Sequence, residues 1–136
     1  LAEQYTAFTP TTRLIDIATE VLAGEIALAR GRRDEGLARL ARAVALQDGL
    51  AYNEPPDWFF PVRHYLGAAL LDAGYAREAE AVYWQDLRHN RGNGYALFGL
   101  AAALAAQGRD AEAAAARERQ AQAFGRADVV LTSSRF

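Results

Sequence analysis

Thirty-four residues separate Gly74 from Gly108, and the same interval separates Leu66 from Leu100, Leu70 from Leu104, Glu78 from Glu112 and Ala79 from Ala113. A chain that returns to the same residue types at a fixed interval of this size is built from stacked copies of one supersecondary unit. Inside the interval the apolar spacing is helical: Leu66, Leu70 and Ala73, then Ala79, Val82 and Tyr83. Val and Ile never form the alternating runs that strands need. Gly31, Gly74 and Gly108 each follow a helical stretch, where a left-handed C-cap residue belongs. Each unit is therefore expected to be two helices and a turn. Small residues at Gly67, Ala79, Ala101 and Ala113 would let the paired helices approach, and Leu66, Leu70, Tyr83, Leu100 and Leu104 would fill the space between units. About three units must stack before their apolar faces are covered.

The spacing predicts six helices, over about 10–30, 34–47, 60–73, 76–90, 94–107 and 110–124. They group into repeats over about 17–50, 60–93 and 94–127 of a single 136-residue domain. Gly31 and Gly74 are 43 residues apart, nine more than the period, and the surplus falls in a Pro- and aromatic-rich insert over 51–59. Thr9 is expected to cap the first helix with Pro10 at its first position, Asp57 or a neighbour the third, and Asn93 the fifth. Residues 125–136 are expected to form an irregular tail.

Residues 63–83 read Arg63-x-x-Leu66-Gly67-x-x-Leu70, then Ala79-x-x-x-Tyr83. This resembles the tetratricopeptide repeat (TPR), with Arg63 where the motif usually has Trp and Arg91 where it later has Pro. The resemblance implies an all-α, right-handed helix–turn–helix solenoid. Residues 54–136 also resemble the C-terminal end of a larger bacterial TPR protein family. The matching text is Glu54-Pro55-Pro56-x-Trp58-x-x-Pro61-x-Arg63, Glu78-Ala79-Glu80-Ala81-Val82-Tyr83, Asp86-Leu87, Gly94-Tyr95-Ala96-Leu97-x-Gly99-Leu100 and Ala127-Asp128-Val129. That likeness implies further helical repeats before Leu1 and no enzymatic activity. The 31 alanines, and basic residues that are all Arg and never Lys, fit the coding bias of a GC-rich bacterium.

Composition narrows the chemistry. Cysteine is absent, which excludes disulfides, thiolate metal sites and cysteine nucleophiles. A net charge of −2 gives no electrostatic footprint for nucleic acid, and no apolar run approaches the ~20 residues a membrane span needs. The serines are Ser133 and Ser134, with nothing local to build a triad. Asp86 and His89 share a helix face, too few ligands for a metal, and the pairs Asp34/Glu35 and Glu78/Glu80 suit helix N-termini without acid–base catalysis. No catalytic residue, cofactor or metal is expected. The opening on Leu1, without a signal-like segment, reads as a fragment of a longer protein, with a cytoplasmic location favoured.

Three surfaces remain as candidates. TPR arrays bind peptides on the concave face, and by register that face would carry Val21, Glu25 and Leu28, then His64, Ala68, Leu71 and Asp72, then Tyr95, Phe98 and Ala102. Apart from His64 these residues are apolar, aromatic or acidic, which disfavours a clamp for a C-terminal carboxylate and favours a protein or peptide partner. The insert offers a second site: Tyr52 and Trp58 would stack on a small molecule and Arg63 would pair with its anion, beside His64. The plainer reading has the insert aromatics plug a gap between repeats while Arg63 pairs with Glu54 or Asp57. Lastly, Leu14, Ile15, Ile17, Ala18, Val21 and Leu22, with Tyr5 and Phe8 before them, give the first helix more apolar surface than its partner can cover. Another helix, from preceding sequence or a second copy of the chain, is expected there.

Overall fold

The computed structural model describes residues 5–6 and 9–135. Among them are six helices: α1 (Thr11–Ala29), α2 (Arg33–Asp48), α3 (Val62–Asp72), α4 (Ala76–His89), α5 (Gly94–Ala106) and α6 (Asp110–Ala123). Two-residue strands, β1 (Tyr5–Thr6) and β2 (Thr9–Pro10), pair antiparallel ahead of α1. The fold is all-α, with α1 packed on α2, α4 on α5 and α5 on α6. The chain divides into two compact units, one ending at Val62 and one beginning at Arg63. The division falls at the end of the insert that the spacing set apart.

One turn recurs after α1, α3 and α5. Gly31, Gly74 and Gly108 have φ of +73°, +83° and +72°, the left-handed region where a side chain would be strained. Each glycine N–H donates to the carbonyl three residues back (Leu28, Leu71, Ala105). The following N–H of Arg32, Tyr75 or Arg109 reaches the carbonyl five back (Ala27, Leu70, Leu104). This is the Schellman closure, which satisfies the last helical carbonyls and turns the chain back.

The capping expectations divide. Asn93 caps α5, its Oδ1 accepting from the N–H of Tyr95 (2.9 Å) and Ala96 (3.2 Å). Thr9 does not cap α1: its hydroxyl donates to Asp57, and Pro10 holds the cap position without a side-chain bond. Asp57, which also accepts from Asn53, is thereby occupied. The N–H of Val62 opening α3 is satisfied instead by Gln47 Oε1 at 2.8 Å, from the end of α2.

In the first unit α1 lies on α2 around Ile17, Ala43 and Val62, with Val21, Val44, Leu46, Leu50 and Trp58 packed against them. The helices meet at glycines: a Cβ on Gly36 would stand 2.5 Å from Leu28 Cγ, and one on Gly24 would stand 3.0 Å from Leu40 Cγ. Ile17 is completely buried, so it does not belong to an open N-terminal face. The apolar row that α1 does expose is Ile15, Leu22 and Ile26. Phe8 lies outside the described residues, as does the side chain of Tyr5.

The second unit is organised on Tyr83. Its ring is fully buried, and a Cβ on Gly67 of α3 or Gly99 of α5 would stand 2.4 or 2.1 Å from its Cζ. The glycines are thus the two walls of a slot for one phenol ring. Around it Ala79, Leu97, Leu100, Ala101, Leu104 and Ala113 form the core. The three alanines predicted as close-approach positions are buried there. Glu80 of α4 ties the next pair of helices, accepting from Arg109 Nη1 at 2.7 Å and Gln107 Nε2 at 2.8 Å. The Gln107 amide, and then Arg109, hold its carboxyl below the usual range against the opposing cost of burial. Helix α6 buries Ala113 and Ala116 and turns charged residues outward, as expected of an outer helix.

Candidate functional site

The densest polar and aromatic constellation in the second unit gathers where α3, α4 and α5 meet the tail. His64, three residues before the Gly67 slot, is fully buried, and its Nε2 lies 3.0 Å from Asp86 Oδ2 on α4. Asp86 is buried too, and its other oxygen accepts from Asn90 Nδ2 at 2.9 Å. A buried carboxylate costs several kcal/mol unless its oxygens find such partners. Beyond His64 the rings continue as a row. His64 stacks on Tyr95 of α5 (centroids 6.1 Å, 27° between planes), and Tyr95 meets Phe124 edge-on (5.6 Å, 83°).

The tail returns onto this constellation. Ser134 is buried, and its Oγ donates to the main-chain carbonyl of His64 at 3.0 Å. With that proton committed, the Tyr83 hydroxyl is the donor in its 2.6 Å bond to Ser134 Oγ. Burial pushes the Tyr83 phenol up to about 12. One residue on, Arg135 Nη2 pairs with Asp72 Oδ2 at 3.2 Å. The tail has no regular secondary structure up to Arg135, as the sequence suggests, yet Ser134 and Arg135 seat it through a hydroxyl relay and an ion pair. A serine, a histidine and an aspartate are thus neighbours, but the serine hydroxyl is on the histidine carbonyl, not on its ring.

The expected groove residues fare differently. Asp72 is exposed and holds Arg135. Tyr95 and Phe98 are half-buried on α5, and Leu71 packs on the core of the second unit. His64 does not line an open groove, because Asp86 draws its ring inside. In the first unit, Val21 and Leu28 are packing residues, against the Ile17 cluster and Gly36, and Glu25 is half-buried on α1. The insert splits into two classes: Trp58 and Phe60 turn inward, while Tyr52 (84 % exposed) and Phe59 (77 % exposed) face solvent. Tyr52 hydrogen-bonds Glu54. Glu54 and Asp57, the two acids suggested for Arg63, thus accept from Tyr52 and from Thr9 and Asn53. Arg63 is half-buried at the start of the second unit.

Tyr83, Asp86, Asn90, Phe124 and Ser134 were not among the expected site residues. Gly67 and Gly99 facing one large aromatic was the available signal for Tyr83. Asp86 was read on the face of His89, but it turns to His64, and His89 Nδ1 lies 3.2 Å from the Gln85 carbonyl. Among the described residues no group of His, Asp or Glu could hold a metal ion, and no helix is long and apolar enough to cross a membrane. No family model matches the sequence, and no curated protein matches it.

Proposed function

We propose that the chain is a non-catalytic protein-interaction scaffold, a TPR-like right-handed array of about three repeats that takes an extended peptide across α3 and α4. One observation carries this reading: the protein's own tail is seated there as a peptide ligand would be. Ser134 is read through a main-chain carbonyl and a buried phenol, and Arg135 through an acid at the end of α3. The Schellman turns and the 34-residue recurrence support the repeat architecture. A partner segment with a small hydroxyl residue followed by Arg fits this seat.

A tethered tail competes at an effective concentration of about millimolar, so a free partner must displace it. The test uses a peptide with the sequence of residues 127–136, titrated into the full chain and into the full chain carrying Ser134→Ala and Arg135→Glu. The variant, whose own tail is released, is expected to bind the peptide at least about tenfold more tightly than the unaltered chain. Equal or absent binding in both refutes the proposed seat.

A further inference from the structure

A second feature of this unit lies away from the tail seat. A cleft of about 410 Å³ is lined by Trp84, Leu87 and Arg88 of α4, Arg91 beyond its end, and Arg119 of α6. Trp84 is 43 % exposed, and the Arg119 guanidinium stands 5.8 Å from the centroid of its ring. Tryptophan is a costly residue to leave in water, and with arginine it is enriched where proteins bind one another.

No ion pair compensates the charge of the cleft among the described residues. Arg32, Arg39, Arg42, Arg109 and Arg135 each hold a carboxylate. Arg88, Arg91 and Arg119 make no ion pair among the described residues. The nearby acids of α4 are already engaged. Asp86 is turned inward to His64 and Asn90. Glu80 is held by Arg109 and Gln107. The fold thus gathers three guanidinium groups around an apolar floor, on a chain whose net charge is −2.

We infer that this cleft is a docking site for an acidic segment of a partner protein, with an aromatic or aliphatic residue set among its carboxylates. The apolar residue lies on Trp84 and Leu87, and the carboxylates pair with the guanidinium forks, which match carboxylate geometry in a way an ammonium does not. Charge complementarity selects this occupant. A nucleic-acid strand is matched less well, because three arginines on an otherwise acidic chain neutralise few phosphates. None of its lining residues belongs to the tail seat.

The test is calorimetric titration of the full chain with the blocked pentapeptide Glu-Glu-Phe-Glu-Glu, its Gln-Gln-Phe-Gln-Gln counterpart, and a single-stranded oligothymidylate. The acidic peptide is expected to bind, to weaken at least about tenfold when Arg88, Arg91 and Arg119 are all changed to Gln, and to weaken as salt rises. All three side chains are exposed, and circular dichroism verifies that the variant keeps its helices. Trp84→Ala is expected to weaken the acidic peptide more than it weakens Glu-Glu-Ala-Glu-Glu, a difference that mere loss of charge would not produce. Lack of acidic-peptide binding, equal binding of the glutamine peptide, insensitivity to the triple substitution, or binding of the oligonucleotide alone each overturns the inference.

Discussion

Tyr83 concentrates the energetics of the second unit in one side chain. Its ring occupies the slot between Gly67 and Gly99, and its hydroxyl reaches the tail through Ser134. Burial raises its pKa to about 12, against an ordinary value near 10. A proton held more tightly in the folded state means that stability is fully present below about pH 10 and falls as pH rises towards about 12. A shift of this size corresponds to a loss on the order of 2–3 kcal/mol. The chain contains no lysine, so this alkaline window is left to tyrosines. The Tyr52 phenol is raised as well, first by its bond to Glu54, but it stands in solvent and holds no packing together. Urea midpoints measured between pH 9 and pH 12 should therefore fall in the unaltered protein and stay much flatter in Tyr83→Phe. An identical slope in the two would show that Tyr83 is not the titrating group.

At the scale of elements, the segment between α2 and α3 is a packing device with two solvent-facing aromatics. Trp58 joins the Ile17–Ala43–Val62 cluster, and Phe60 is 7 % exposed. Truncating Trp58 to Ala should cost about 2–3 kcal/mol, below the ~3–5 of a fully buried aromatic because its burial is partial. Tyr52→Ala and Phe59→Ala should stay within about 0.5 kcal/mol, as surface changes do. Urea melts of the three variants decide the matter: a shared large loss, or no loss for Trp58→Ala, would contradict the division of the insert. This division was only half legible. Four aromatics in nine residues announced a special segment. Which of them turned inward depended on where Asp57 was anchored by Thr9 and Asn53, contacts separated in sequence by 48 and 4 residues.

At the scale of the molecule, the two units meet in sequence at Val62 and Arg63, just beyond the two most exposed aromatics of the insert. Loop sites with exposed side chains are where proteases cut first. Brief chymotrypsin treatment under native conditions is expected to cleave after Tyr52 or Phe59 before any aromatic within α3–α6. Mass spectrometry of the first fragments checks this. Initial cleavage after Tyr83 or Tyr95 would mean that the second unit opens more readily than its packing implies.

Sequence alone determined the helical class, the positions of all six helices to within a few residues, and the recurring glycine turns. These follow from local physics: apolar periodicity, the left-handed preference of glycine, and the capping reach of Asn93. It also anticipated the small residues at helix contacts, because a fixed interval repeats the same packing problem. Tertiary structure decided the rest. The partner of His64 lies 22 residues away, that of Tyr83 51 away, and the carbonyl that accepts from Ser134 70 away. No local periodicity encodes such pairs. Asp86 and Ser134 look like ordinary surface residues until the fold removes the water that would have satisfied them, and only then must each find a particular partner.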